Sequence, residues 1–360
     1  MPPPTAMPRS RRPAEPTRTS RMNSRERIAA ALAGQPVDRT PVILHNFLHA
    51  ARRAGITQAA YRSDPEACAT AHRKSLDDFG HDAVLVDLDT ATLAGACGAQ
   101  IDLPEDLPGR VLTPRFHQPE EVLGLAPPVI DDHPRVRAWL AAVRAVVRSC
   151  GDRAWVRGNG DQGPFSLAAE VCESAAFLEA SVDPDRQEAV NALLSWCATA
   201  SLRFLELLAE TGCDGLSNGD SSSGPSLISP RLYRRLALPW QRRLADHTRA
   251  LGKPWTLHVC GNAGPIIDDL AGVGATALEL DYRTDLAKVA AACAGKVAVC
   301  GTVDPSGVMT LGTAEGVTRA ALAVRAAFAG NTRLILGPGC AIPAEAPDAN
   351  VQALVAAAQI

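Results

Sequence analysis

Short apolar runs separated by longer amphipathic stretches set the rhythm of this chain. The runs fall at 40–46, 82–87, 154–161, 213–220, 255–261, 277–282, 297–303 and 333–336. Most are rich in Val, Ile and Leu and bounded by Gly, Pro, Asp or Asn, the pattern of a buried strand. Between them the periodicity turns helical, at 25–33, 134–147, 165–180, 184–210, 230–251, 265–273, 285–293, 314–329 and 347–358. Several helix starts have legible chemistry. Asn23-Ser24 offers a side-chain cap, and both Asp183-Pro184 and Ser229-Pro230 place a cap before a proline of the first turn. Gly34 closes the first helix. Residues 88–130 are rich in Pro and Gly with short β-like pieces, and read as an excursion from the main architecture.

Strands alternating with helices imply parallel β/α units. Eight such units over roughly 330 residues fit a (β/α)8 barrel of the TIM type, with insertions. The expected organisation is one barrel domain from 23 to 360. A doubly wound open sheet is the alternative, but no Gly-x-Gly-x-x-Gly follows the first strand. Residues 1–22 are Pro-, Arg- and Ser/Thr-rich without periodicity and read as a disordered tail. Its arginines could meet an acidic partner, although a solvated tail is the simpler reading.

Composition narrows the function classes. With 46% hydrophobic residues, 360 residues can bury a sizeable core. A net charge of −3 argues against a nucleic-acid footprint. No apolar run reaches transmembrane length and no signal-type apolar segment follows the N-terminus, so the expectation is a cytoplasmic protein without a membrane partner. Ten cysteines are scattered with no Cys-x-x-Cys, which suits reduced thiols better than a disulfide framework.

In a β/α barrel, chemistry collects where strands end. Those ends carry His45 and Asn46, Asp87 and Asp89, Asn159 and Asp161, Asn218 and Asp220, His258 and Cys260, Glu279 and Asp281, Asp304, and Cys340. Turns use Asp and Asn everywhere, so no single carboxylate here is diagnostic. The His258-Val259-Cys260 run is more informative. In a strand, residues two apart project together. One imidazole and two thiols meeting at strand ends is a ligand set that zinc favours, and three protein ligands leave the open position of a catalytic site. A core histidine with two buried thiols is the competing reading.

From about residue 23 to the end, the chain resembles the uroporphyrinogen decarboxylase superfamily, and within it the corrinoid-dependent methyltransferase branch. The segments that carry the resemblance are Gly163-Pro-Phe-Ser-Leu-Ala168, Leu227-Ile-Ser-Pro230, Leu257-His-Val-Cys-Gly-Asn262, Gly301-Thr-Val-Asp-Pro305 and Gly337-Pro-Gly-Cys-Ala-Ile-Pro343. The decarboxylases carry a Gln-Ala-Gly-Arg segment near the first strand. Here that stretch reads Ile43-Leu-His-Asn-Phe-Leu48, without the arginines that would hold propionates.

The resemblance implies that His258, Cys260 and Cys340 bind Zn2+, which holds a thiol acceptor for a methyl group from methylcobalamin or another methylated corrinoid. Asp220 and His45 are the candidates for supporting or touching the substrate. Asn159, Asp161 and Asn262 are the candidates for contacts to the corrinoid. No Asp-x-His-x-x-Gly segment supplies a corrinoid ligand, so a separate corrinoid protein is the expected partner beside a small thiol or methylated substrate. A homodimer is an assembly open to such a barrel. Three other readings stand beside this one. They are transfer from a small methylated donor to a cobalt(I) corrinoid protein, non-catalytic corrinoid delivery, and porphyrinogen decarboxylation.

Overall fold

The structure is a computed structural model and describes residues 21–360. The expectation of a disordered tail therefore falls, for residues 1–20, outside the described residues. Met22 is held in place: its N–H donates to Asp38 at 3.0 Å and its carbonyl accepts from Arg27.

Eight strands form one sheet: β1 (Ile43–Leu44), β2 (Ala83–Val86), β3 (Trp155–Gln162), β4 (Gly215–Gly219), β5 (Trp255–Val259), β6 (Ala277–Leu280), β7 (Ala298–Val303) and β8 (Leu334–Pro338). Every neighbouring pair is parallel, and order in space follows order in sequence. The ring closes through a bridge between Val42 and Leu336, where the Leu336 N–H donates to the Pro41 carbonyl at 2.8 Å. A doubly wound sheet would reverse its strand order at a switch point. None is present in this sheet, so the architecture is the (β/α)8 barrel.

The two-residue period of the strands sorts side chains between the barrel axis and the helical shell. At one end of the axis, Ile43, Ala83, Leu85, Ala277, Ala298, Cys300 and Ile335 pack into a small apolar layer. Helix α1 (Ser24–Ala33) closes this end, adding Ile28 and Ala31 to the same cluster. Its start is a capping box between Asn23 and Glu26, and Gly34 ends it at φ 72°. Arg27 of α1 is buried against Asp38 (2.6 Å) and Asp82 (2.5 Å), and Arg39 also reaches Asp82 at 2.7 Å. This ion cluster fastens the entry segment beneath β2.

The helices depart from expectation in three places. The segment expected to be helical over 165–180 is two helices, Pro164–Val171 and Ser174–Val182. The break serves the excursion. Phe116 donates its N–H to Val171 and accepts from Glu173, both at 2.9 Å. The stretch 230–251 contains a wide, π-type turn at Tyr233–Ala237 just before Pro239. Proline cannot donate to the preceding turn, so the register widens there. The helix over Pro184–Ala209 is long and apolar enough to cross a membrane, unlike the expectation from apolar runs, yet 67% of its apolar window is buried inside the fold. The excursion itself holds an antiparallel hairpin, Gln100–Asp102 with Arg110–Thr113.

Candidate metal centre

At the C-terminal end of β5, the strand's alternation aims His258 and Cys260 to one side while Leu257 and Val259 bury against the shell. Cys340 arrives from the turn after β8. Two glycines let that turn in close. A Cβ on Gly337 would stand 2.6 Å from the Ile43 carbonyl oxygen, and one on Gly339 would stand 2.9 Å from both the Leu280 carbonyl and the Tyr282 N–H. Side chains there would push Cys340 out of position.

The three ligand atoms converge. His258 Nε2 lies 2.9 Å from Cys260 Sγ, Cys260 Sγ lies 3.5 Å from Cys340 Sγ, and Cys340 Sγ lies 3.7 Å from His258 Nε2. A tetrahedral zinc with bonds of about 2.3 Å to sulfur and about 2.0 Å to nitrogen needs edges of roughly 3.5–3.8 Å between these atoms. Two observed edges fall within about 0.3 Å of that requirement. The third, at 2.9 Å, is about 0.6 Å shorter than a zinc edge and has to open by rotation of the two side chains. With that adjustment the residues present fit a zinc ion.

The thiols behave as a pair. The hydrogen bond from Cys340, aided by His258, pulls Cys260 far below the usual thiol range. Cys340 is driven up by that bond to Cys260 and by burial. This contact favours one thiolate beside one thiol, a charge that a bound cation would offset.

Behind the ligands stands a buried charge hub that the sequence reading did not assemble. Glu279 of β6 takes an ion pair from Arg157 of β3, a 2.8 Å bond from His45 Nδ1, and lies 3.6 Å from His258 Nδ1. His45 Nε2 reaches Asp87, after β2, at 3.2 Å. Burial alone would raise the Glu279 carboxyl, but Arg157 and the two histidines hold it well below the ordinary range. Burial works to lower His45, and Glu279 with Asp87 outweighs it, lifting the imidazole to about 9. Arg157 was the missed member. Its only signal was a lone arginine within an apolar strand, two residues before Asn159 and so on the same face.

These groups line a cavity of about 350 Å³ that also holds Asn159, Asp161, Gln162, Ser217 and Ser221. Of the expected site residues, His45, Asn159, Asp161, His258, Cys260 and Cys340 are brought together on its wall. Asn159 accepts from Ser217 Oγ at 3.2 Å. Asp161 adopts φ 56°, a left-handed conformation that aspartate tolerates better than most residues, and accepts from the Leu93 N–H at 2.7 Å. Asp220 is fully buried and not on the wall. It accepts from the Ser166 N–H and from Gln241 Nε2, both at 2.8 Å, and so positions the loop that carries Ser221. Asn262 is exposed outside the cavity, where its Oδ1 accepts from the Gly264 N–H at 3.0 Å in a local turn.

A parallel eight-stranded barrel with a convergent His/Cys/Cys set at its C-terminal mouth defines the class. The uroporphyrinogen decarboxylase (URO-D) family matches residues 23–359, and the chain belongs to that family. Among curated relatives, a protein from Methanosarcina acetivorans named methylcobamide:CoM methyltransferase MtbA is 27% identical, covering 93% of this chain and 97% of its own length. Its namesake from Methanosarcina mazei is 29% identical with the same coverage. A uroporphyrinogen decarboxylase from Coxiella burnetii is 26% identical over 93% of this chain and 94% of its own. A solved methyltransferase from Methanosarcina mazei shares the fold, with a TM-score of 0.85 at 23% identity over 94% of this chain and 98% of that one. The likeness to the family and its methyltransferase branch, expected from the sequence, stands.

Proposed function

We propose that this chain is a zinc-dependent methyltransferase that moves a methyl group from a methylated corrinoid to a small thiol. The observation that carries the proposal is the convergence of His258, Cys260 and Cys340, from two strand ends, on the wall of a cavity with room for a small substrate. His258, Cys260 and Cys340 would hold the zinc. When bound, zinc supplies the positive charge that deprotonates a thiol near neutral pH and keeps its sulfur available as a nucleophile. Two thiolates and one neutral imidazole balance that charge, so the added thiolate stays electron-rich.

The chain's own residues do the rest. Glu279 lies 3.6 Å from Nδ1 of His258, a charge contact that favours the proton on Nδ1 and leaves Nε2 as the ligand atom. Arg157 and His45 hold Glu279 ionised in a buried place. Asp220, through Ser166 and Gln241, sets the loop of Ser221, whose hydroxyl accepts from the Cys260 N–H at 3.1 Å. The cavity wall at Asn159, Asp161 and Gln162 orients the substrate and excludes water. The methyl source is a corrinoid on a separate protein, presented at the barrel mouth in a reducing compartment such as the cytoplasm.

Metal analysis of the purified protein should return about one zinc per chain, the count set by one three-ligand site. Cys260→Ser and Cys340→Ser should each lose the metal and the thiol-dependent demethylation of methylcobalamin, followed by its visible spectrum. Either variant retaining full zinc and full rate would overturn the assignment.

A further inference from the structure

The two cysteines of the centre stand 80 residues apart in the chain, on turns from different strands. One loop, residues 281–284 after β6, touches both turns. On the Cys260 side, the Gly261 N–H donates to Asp281 Oδ2 and the Ala263 N–H donates to Thr284 Oγ1, both at 2.9 Å. The Thr284 hydroxyl in turn donates to the Gly261 carbonyl at 3.3 Å. On the Cys340 side, the loop's backbone lies against Gly339. A Cβ on that glycine would stand 2.9 Å from the Tyr282 nitrogen and 3.1 Å from Asp281 Cα. Asp281 and Thr284 are 3% and 1% exposed.

The chemistry of Asp281 suits this junction. Its Oδ1 accepts from the Arg283 N–H at 2.9 Å, and its Oδ2 accepts from the Arg283 guanidinium at 3.0 Å as well as from Gly261. An ionised carboxylate is acceptor-only, so it serves all three donors. An asparagine of the same shape cannot. Whichever way it turned, its NH2 would face a backbone N–H and leave that donor buried and unpaired.

We propose that Asp281 and Thr284 are positioning residues for the centre. The loop they anchor sets the spacing of the Cys260 and Cys340 sulfurs, which lie 3.5 Å apart. They act through the backbone of Gly261, Ala263 and Gly339. The proposal rests on the zinc reading for its consequence in metal affinity, whereas the juxtaposition of the sulfurs belongs to the metal-free chain as well.

The test uses the full chain in two states. On the metal-free protein, diamide oxidation reads the spacing of the two thiols, because the other eight cysteines are buried. Peptide mass spectrometry should find a Cys260–Cys340 disulfide in the wild-type chain. It should form about ten-fold or more slowly in Asp281→Asn and Thr284→Val. On the loaded protein, chelator competition should show zinc affinity about 10–100-fold lower in both variants. The sulfur-to-metal absorption of their cobalt(II) forms should weaken. Thr284→Ser keeps the hydroxyl and should keep all three readings. Thr284→Val preserves the shape of the side chain, so it decides the question if Asp281→Asn does not fold. Wild-type oxidation rate and zinc affinity in the variants overturn the proposal, as does the absence of a disulfide in the wild-type chain. If the wild-type chain oxidises faster than the variants but binds no zinc, the metal reading falls and the positioning role stands. If zinc binds and the variants match the wild type, the positioning role falls and the metal reading stands.

Discussion

Replacing Glu279 by Gln tests the charge hub more sharply than any ligand mutation. The substitution keeps the shape of the side chain and removes its charge. It leaves the buried Arg157 without its paired carboxylate, and leaves His45 with Asp87 alone. Removing one partner of a buried pair costs about 3–5 kcal/mol, most of it the burial of the orphaned charge. At roughly 1.3 °C per kcal/mol for a chain of this size, Tm should fall by about 4–7 °C. The same change weakens the group facing His258 Nδ1, and such losses lower metal affinity about 10–100-fold. Thermal unfolding and a competition titration against a chromogenic zinc chelator read the two effects separately. Arg157→Met combined with Glu279→Gln removes the orphaned cation, so the double variant should recover part of the lost stability while the zinc affinity stays low. A loss below about 1 kcal/mol for the single variant, or strict additivity in the double, would refute the hub as a coupled unit.

Two further outcomes follow from the geometry. Gly339→Ala places a methyl 2.9 Å from the Leu280 carbonyl and should cost about 1–3 kcal/mol while weakening zinc at least ten-fold by moving Cys340; unchanged zinc affinity in the chelator titration would count against the close approach. Asp38 is held down to about 2 by its hydrogen bond from Arg27, against 3.8 ordinarily. Its contribution is present above the unfolded value and disappears as pH falls from about 4 toward about 2. The stability gap between the wild-type chain and Asp38→Asn, from urea unfolding, should therefore narrow between pH 5 and pH 3; a constant gap would contradict the pairing with Arg27.

The strand rhythm was legible because each barrel strand is a short apolar run with its own punctuation, and burial on both faces leaves little room for other readings. The convergence of His258, Cys260 and Cys340 was legible because His258 and Cys260 share a face by strand parity, and Cys340 stands in a comparable strand-end turn. The hub was not. Glu279 and Arg157 lie 122 residues apart, and nothing local says that β3 and β6 point them at the same stretch of the axis. The break at Cys172 was hidden for the same reason. Its partner, Phe116, belongs to the excursion, whose pairing is tertiary. Asp220 was expected, from its strand-end position and the resemblance, either to support the site or to touch the substrate; its full burial and two 2.8 Å bonds favour the supporting place. Asn262 sits beside the ligand motif in sequence but turns into its own loop.

The seam of the cylinder lies directly under the centre. β1 is two residues long, and its junction with β8 rests on the Val42–Leu336 bridge, with Ile342 donating to the His45 carbonyl at 2.7 Å just above it. His45 and Cys340 thus emerge on either side of the joint between the first and the last strand. An open seam would loosen the turn that carries Cys340. A chain caught with its seam ajar could keep most of its core and still be unable to grip a cation. Amide exchange at Leu336 and Ile342 would then report readiness for metal more faithfully than any global measure of folding.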